Sequence, residues 1–458
     1  MRLFPPPLEI GDEEGFTAEK DIFGRAQLGE GLTNLVSSVS DPTVIAVDGQ
    51  WGSGKTTFLK MWAGELRKAG FPVVYFDAFE NDHVEDAFLA IASEIIALAE
   101  REKKAKTTVG KRLIKNAVGA SKVLLRSSLK LGVKAATVGA LGAADLEEVA
   151  ADFAAEASNL MDKHLGELLT KHKQQKDAIQ GFRDALAELP ALLSDTPAQE
   201  KKESTKPKPL VFIIDELDRC RPTFALEVLE RIKHFFSVPN VHFVLGVHLG
   251  QLRNSVVVAY GANIDAQTYL QKFIHLTLPL IDRARHRHER TVTKFIGHLE
   301  KSMDFDHQDK ETVSGATDLI RHVAEQRGLS LRAIERVMSN LAIAVAYTSD
   351  KTLRLPPILG GLCVLKVTAP DLFAKAKRGR LQYKDVREPL ALDETGDKDE
   401  RLSNWFVDYW RFCSDENLDQ EAIQRLARGL IRYGIDDRFD ILPFTANDII
   451  DRLRPRES

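Results

Sequence analysis

The chain has 458 residues, of which 44% are hydrophobic and 28% are charged, so it is neither a mini-protein nor a disordered chain. Its formal net charge of −4 excludes a globally basic nucleic-acid coat, although a local basic patch is compatible with that average. Three widely spaced cysteines argue against a disulfide framework and a zinc cluster, and the N-terminus lacks the apolar stretch of a secretory signal. These features predict a cytoplasmic protein of two or three domains.

Short apolar runs alternate with amphipathic segments between residues 43 and 247. The apolar runs are typical of buried strands, and the segments between them repeat apolar residues at helical spacing. This alternation predicts an α/β fold, in which a parallel sheet carries helices on both faces. The strands are predicted at Thr43–Val47, Val73–Phe76, Leu210–Ile214 and Val241–Val247, and the helices at Phe58–Leu66, Ala87–Leu98 and Ala225–Phe236.

A long insertion separates the second predicted strand from the third. A crossover between parallel strands needs only about 10–12 residues, and far more than that lie between these two. We therefore predict a helical insert at residues 99–209, which divides an α/β core made of residues 1–98 and 210–285. Residues 286–458 show helical patterns without another buried strand and are predicted to form a helical C-terminal region.

The first part of the insert is strongly basic. Arg101–Lys134 contains eleven Lys or Arg and one acid, and the pattern places a slanting basic stripe on one helix. Such a stripe fits nucleic-acid phosphates or an anionic membrane surface, and a solvated helix face is the alternative. The longest uncharged run nearby has ten residues, fewer than the about 20 that cross a bilayer, so no transmembrane span is predicted. The stripe consists of Lys122, Arg126, Lys130 and Lys134.

A glycine-rich phosphate-binding loop follows the first strand. Residues 49–56 match the pattern G-x-x-x-x-G-K-[ST] in full, between a predicted strand and a predicted helix. Its glycines allow a ring of backbone N–H donors around the phosphates, Lys55 reaches the β- and γ-phosphates, and the Thr56 hydroxyl completes Mg²⁺ coordination. The nucleotide-binding residues are predicted to be Gly49, Gln50, Trp51, Gly52, Ser53, Gly54, Lys55, Thr56 and Thr57.

A second motif ends the third strand with two acids, Asp215 and Glu216. In phosphoryl-transfer sites the first acid holds Mg²⁺ and the neighbouring carboxylate orients the attacking water. We therefore predict Asp215 as the metal residue and Glu216 as the water-activating residue. The sequence contains no Asn-Lys-x-Asp element that would read guanine, so ATP is predicted over GTP.

These motifs and several flanking segments resemble the KAP family of P-loop NTPases. The resemblance rests on Trp51 before Gly52, on Tyr75–Phe79, on the Asp-Arg-Cys that follows the acidic pair, and on the segment before Pro279. It implies an AAA-like core in which an insert splits the phosphate loop from the acidic strand. It also implies a regulatory or motor subunit of a multi-protein system, for example in bacterial anti-phage defence.

The resemblance also directs attention to residues outside the two motifs. His248 follows the fourth strand where the family pattern has an aspartate, so it is either a γ-phosphate sensor or a plain strand-end histidine. Arg332 and Arg336 lie four apart on one predicted helix and either face the phosphates or form an exposed arginine face. Arg219 and Arg221 are candidate arginine fingers for a neighbouring subunit, although Arg219 could instead pair with Asp218. An ATP-dependent homo-oligomer is therefore expected.

The sequence leaves three functional interpretations open. The main one is an ATPase that uses Mg²⁺, with Lys55, Asp215, Glu216, Arg332 and Arg336 as catalytic residues. The second is a nucleotide-gated scaffold that binds ATP with little hydrolysis. The third is a nucleic-acid-stimulated ATPase that works through the basic stripe.

Overall fold

A computed structural model describes most of the chain, and all structural statements below refer to the residues it describes. These are residues 1–84, 86–133, 176–194, 207–280, 285–348, 352–392, 400–427 and 437–451. The predicted Lys134 of the basic stripe and residues 135–175 of the insert lie outside these ranges.

Five parallel strands form one sheet in the order β2-β3-β4-β1-β5. Strand β4 lies between β1, which leads into the phosphate loop, and β3, which ends at the acidic pair. In the register, Ile45 of β1 pairs with Val244 of β4 on one side and with Leu276 of β5 on the other. The strands are β1 Thr43–Asp48, β2 Val73–Asp77, β3 Leu210–Asp215, β4 Val241–Val247 and β5 Leu276–Pro279.

The central strands are mainly apolar because helices cover both faces of the sheet. Every residue of β3 and β4 is buried, as expected for a parallel sheet between two helical layers. In β1 the side chains alternate: Val44 and Ala46 join the core on one face, and Ile45 and Val47 join the core on the other. The predicted fold class and the four predicted strands are confirmed.

Two helices cover one face of the sheet, and six pack on the other. On the first face, Leu32 of α1 and Phe58 of α2 contact the same core. On the second face, the ring of Phe88 of α3 packs edge-on against Phe182 of α5 and tilted against Phe236, with ring centroids 5.2 Å and 5.5 Å away. The helices are α1 Ala26–Ser38, α2 Lys55–Lys68, α3 Ala87–Arg101, α4 Thr108–Val133, α5 176–193, α6 Pro222–Arg231, α7 Leu249–Tyr260 and α8 Ala266–Leu270.

Both described ends of the predicted insert pack on the sheet. Leu113 and Ala117 of α4 and Leu186 and Leu189 of α5 are buried in the core of the second face. Helix α3 continues past residue 98 to Arg101, so the chain enters the insert region as a helix of the core layer. Three residues of the basic stripe, Lys122, Arg126 and Lys130, lie on α4.

The described residues from 285 onward form a helical region with its own hydrophobic core. Within this region α12 packs closely on α10, because Gly360 lies against the backbone of Ala316. None of the helices described is long and apolar enough to cross a membrane. The helices are α9 Arg285–Met303, α10 Lys310–Arg327, α11 Leu331–Ala346, α12 Pro356–Thr368, α13 Pro370–Lys377, α14 Tyr383–Val386, α15 Glu400–Ser414, α16 Gln420–Ala427 and α17 Ile441–Phe444.

Candidate nucleotide-binding site

The phosphate loop connects β1 to α2 at the carboxyl edge of the sheet. Gly52 and Gly54 have φ values of 75° and 82°, a left-handed conformation that favours glycine. Lys55 begins α2 and is buried, and its Nζ donates to the carbonyl oxygens of Gly49 at 2.6 Å and Gln50 at 3.2 Å. Burial lowers the pKa of Lys55. The lysine is therefore folded over its own loop, at the position where the motif places the phosphates.

A buried arginine supports the loop from behind. Arg25 donates from Nη2 to the carbonyl of Ser53 at 3.0 Å and from Nη1 to the carbonyl of Gly54 at 3.3 Å. Its guanidinium lies 4.6 Å from the centroid of the Phe23 ring, and burial lowers the pKa of Arg25 to about 10. Because these loop carbonyls point at Arg25, they point away from the phosphate side. The sequence did not predict this role, since no motif marks an arginine that lies 28 residues from its partner.

The predicted metal residue lies next to the loop. Asp215 is 1% exposed, and its carboxylate accepts hydrogen bonds from the Tyr75 hydroxyl at 2.8 Å, from the Glu216 backbone N–H at 2.9 Å, and from Thr56. Burial nevertheless raises the pKa of Asp215 above its usual value. The pair of a carboxylate and a threonine hydroxyl is an oxygen donor set that fits Mg²⁺, which keeps several waters and phosphate oxygens as further ligands.

The predicted water-activating acid is held in an ion pair. Glu216 has a φ of 60°, and its Oε1 lies 2.7 Å from Nη1 of Arg219. Burial raises the pKa of Glu216, while the charge of Arg219 acts in the opposite direction. Asp218 accepts a hydrogen bond from the Trp51 indole N–H at 2.6 Å. The alternative pairing of Arg219 with Asp218 is therefore wrong, because Arg219 pairs with Glu216 and Asp218 binds Trp51.

Arg221 also has a partner in its own chain. Its Nε lies 2.9 Å from Oδ1 of Asp82, and its side chain is 60% exposed. It does not line the cavity that contains the phosphate loop. The two candidate finger arginines thus differ, since Arg219 lies inside that cavity and Arg221 lies outside it.

His248 follows β4 at the same edge of the sheet. Its ring centroid lies 6.2 Å from that of Trp51 in an edge-on arrangement, and its buried Nδ1 has no hydrogen-bond partner among the described residues. This position places the imidazole beside the loop tryptophan. A sensing role for His248 stays a prediction.

A cavity of about 520 Å³ joins the phosphate loop to the N-terminal segment and the helical region. Its polar end contains Lys55, Thr56, Asp215, Glu216 and Arg219. Its other end is mainly apolar and was not predicted, because its residues come from three distant parts of the sequence. The apolar lining consists of Pro5, Pro6, Pro7, Leu8, Ile22, Phe23, Phe295, Leu299 and Leu331.

The two candidate arginines on α11 lie in different places. Arg332 lines the cavity beside the loop, and a Cβ added at Gly52 would lie 2.7 Å from the Cβ of Arg332. Arg336, one turn further along α11, is exposed and does not line the cavity. The structure therefore brings only Arg332 to the site. The remaining predicted loop residues that line the cavity are Trp51, Gly52, Gly54 and Thr57.

The parallel sheet, the phosphate loop and the acidic strand end define a nucleotide-binding P-loop NTPase. Residues 26–348 match the family model described as KAP family P-loop domain, and the chain belongs to this family. A comparison with curated proteins gives no match. A structure of the Aeropyrum pernix ORC2 protein in ADPNP–ADP complexes is similar at 14% identity and a TM-score of 0.33, over 98% of this chain and 95% of that chain. At that TM-score the similarity adds nothing to the argument.

Proposed function

We propose that the protein binds ATP with Mg²⁺ and hydrolyses it. The observation that carries this proposal is the single cavity that joins the phosphate loop and both acids to an apolar end. A triphosphate suits the polar end, where backbone N–H groups and Lys55 meet the phosphates. A planar, uncharged base suits the apolar end, which the contacting rings of Phe23 and Phe295 help to line.

Each residue of the site has a proposed role in binding or hydrolysis. Lys55 neutralises charge on the β- and γ-phosphates once it leaves the loop carbonyls. Thr56 and Asp215 would hold Mg²⁺, which supplies charge neutralisation on the phosphate oxygens when bound. Glu216 orients and polarises the water that attacks the γ-phosphorus. Arg332, which lines the cavity, would contact the phosphates from the helical region.

The experiment compares two variants with the parent protein. Lys55→Ala should weaken ATP binding by about ten- to a hundredfold in a calorimeter, because it removes a charged contact to two phosphates. Lys68→Ala is the matched control, since Lys68 lies at the other end of α2 and is exposed. Equal affinities in parent and Lys55→Ala would contradict the site.

Hydrolysis is tested separately from binding. Glu216→Gln should not weaken ATP binding and should lower steady-state phosphate release by about a hundredfold, because the amide cannot act as a base. Unchanged phosphate release would remove Glu216 from the mechanism. The experiment also tests the second candidate, a nucleotide-gated scaffold, which the ion pair between Glu216 and Arg219 favours. A parent protein that binds ATP without measurable phosphate release would support that scaffold.

We further propose that ATP promotes a homo-oligomer. Arg332 and Arg336 are exposed on α11, and the neighbouring cavity is open to solvent. An arginine from one subunit is then available to a nucleotide held by the next. Light scattering with and without ATP and Mg²⁺ tests this, and one mass in both conditions would contradict it. A role in anti-phage defence stays a prediction.

The basic insert is a further candidate contact surface. Lys103, Lys106, Lys111 and Lys115 are exposed at the described start of the insert. Binding to nucleic acid or anionic lipid there would weaken steeply with salt, because each neutralised phosphate releases counterions. Measuring the affinity for duplex DNA, single strands and anionic vesicles over a salt series tests this prediction.

A further inference from the structure

We propose that Arg219 exchanges partners when ATP binds, leaving the carboxylate of Glu216 and binding the γ-phosphate within the same subunit. This inference rests on the proposed function and adds a regulatory step to that site. It makes the release of the water-activating acid depend on the presence of a third phosphate.

Two hydrogen bonds hold the backbone of Glu216 in place. Its N–H donates both to Oδ1 of Asp215 at 2.9 Å and to the carbonyl of Gly246 at 3.2 Å. Its left-handed φ of 60° is sparsely populated for a non-glycine residue, so these contacts hold the backbone in place. Glu216 therefore adjusts through its side chain alone, and Arg219 holds that side chain.

Arg219 lies in the same cavity as the phosphate loop. It ends the short 3₁₀ turn Leu217–Arg219 that directly follows the acidic pair, and it lines the cavity together with Lys55 and Thr56. Its side chain is 29% exposed and that of Glu216 is 16% exposed, so the pair is partly shielded from solvent. Asp218 is already bound to the Trp51 indole. Among the acids of this turn, Glu216 is therefore the one that Arg219 pairs with.

The γ-phosphate of ATP would compete with the Glu216 carboxylate for Arg219. The terminal phosphate of ATP offers more negative charge than one carboxylate, and its oxygens match the planar donor fork of arginine. ADP ends one phosphate earlier and cannot supply this group. Only ATP can therefore cause Arg219 to exchange partners, and ADP cannot. It also frees Glu216 from a donor that reduces its capacity to polarise water.

The experiment measures the affinities for ADP and for a non-hydrolysable ATP analogue in a calorimeter. Arg219→Gln should lower the affinity for the analogue by about ten- to a hundredfold and leave the affinity for ADP unchanged. Arg219→Lys keeps the charge and should retain part of the preference. Arg231→Gln is the matched control, because Arg231 pairs with Glu227 at 2.6 Å with similar exposure on α6, outside the cavity.

A double-mutant cycle tests the exchange itself. Glu216→Gln should tighten binding of the analogue in the parent background, since it removes the competing carboxylate and a negative charge near the phosphate. In the Arg219→Gln background the competition is already absent, so the tightening should be smaller and the cycle non-additive. Full additivity would overturn the exchange.

Two other results would also overturn it, and they separate it from the proposed function. An equal loss of affinity for ADP and the analogue in Arg219→Gln would overturn this inference alone. So would a variant that keeps the full preference for the analogue, with folding checked by thermal unfolding. A parent protein that binds neither nucleotide would overturn the proposed function and this inference with it.

Discussion

The acidic strand end fits against β4 because residue 246 has no side chain. A Cβ added at Gly246 would lie 2.5 Å from Oδ1 of Asp215 and 2.4 Å from Cδ1 of Leu59. Both distances are far below ordinary van der Waals contact. Gly246 also accepts the backbone N–H of Glu216, so this one residue of β4 supports both acids.

We expect Gly246→Ala to impair the metal site. The added methyl must displace the Asp215 carboxylate or the Leu59 side chain, which should cost about 1–3 kcal/mol of folding free energy and lower phosphate release. Urea unfolding and steady-state phosphate release measure the two effects. Gly31→Ala is the control, because an added Cβ there meets nothing within 4 Å. Parent-like hydrolysis in Gly246→Ala would show that the added methyl leaves the Asp215 carboxylate in a working position.

We also expect the contact between Arg25 and the phosphate loop to contribute to ATP binding. Arg25→Met keeps an unbranched side chain but leaves the carbonyls of Ser53 and Gly54 without their donor. The loop then loses the contact that turns these carbonyls away from the phosphates. We expect ATP to bind about tenfold more weakly, measured by calorimetry. Unchanged affinity would show that the glycines alone hold the loop conformation.

Helices α12 and α10 approach each other closely because residue 360 is glycine. A Cβ added at Gly360 would lie 2.5 Å from the carbonyl oxygen of Ala316, a backbone atom that cannot rotate away. Gly360→Ala should therefore destabilise the protein by about 1–3 kcal/mol in urea unfolding, despite the higher helix propensity of alanine. Gly297→Ala in α9 meets nothing within 4 Å and should be neutral or stabilising. Equal stability of both variants would contradict the close packing of α12.

Each element that was predicted from the sequence has a recognisable pattern within its own segment. Strands β1 to β4 are continuous apolar runs because both faces are buried, and such runs are readable without knowing their neighbours. Strand β5 was missed because it is a four-residue edge strand that ends in Pro279 and leaves Leu276 exposed. Its pairing with β1 depends on the sheet and not on its own pattern.

The same distinction holds for the site. The phosphate loop and the acidic pair are local motifs, and their proximity follows because parallel strands bring their carboxyl ends to one edge. The apolar end of the cavity and the hydrogen bonds from Arg25 to the phosphate loop are formed by residues far apart in sequence. No local sequence pattern predicts them. Arg332 and Arg336 share a helix face in sequence, yet only Arg332 lines the cavity, and the α11 residue of the next turn that lines it is Glu335.

The cavity beside the phosphate loop joins parts of the molecule that lie far apart in sequence. The N-terminal segment contributes Phe23, the α/β core contributes Lys55, and the helical region contributes Phe295 and Leu331. The ring centroids of Phe23 and Phe295 lie 6.1 Å apart, so the N-terminal segment and α9 already touch. A ligand in this cavity contacts all three parts at once.

Nucleotide binding should therefore stabilise the α/β core and the helical region together. A ligand that binds only the folded protein, at a free concentration of 100 times its Kd, adds about 2.7 kcal/mol to the free energy of unfolding. Scanning calorimetry of the parent protein with ATP and Mg²⁺ should show the unfolding of both parts shifted to higher temperature. Lys55→Ala should reduce this shift, since it weakens binding without altering the apolar end. If the helical region unfolds in a separate transition that ATP does not move, the nucleotide does not contact Phe295 and Leu331. The base would then lie outside the apolar end of the cavity, even if the phosphate loop binds the phosphates as proposed.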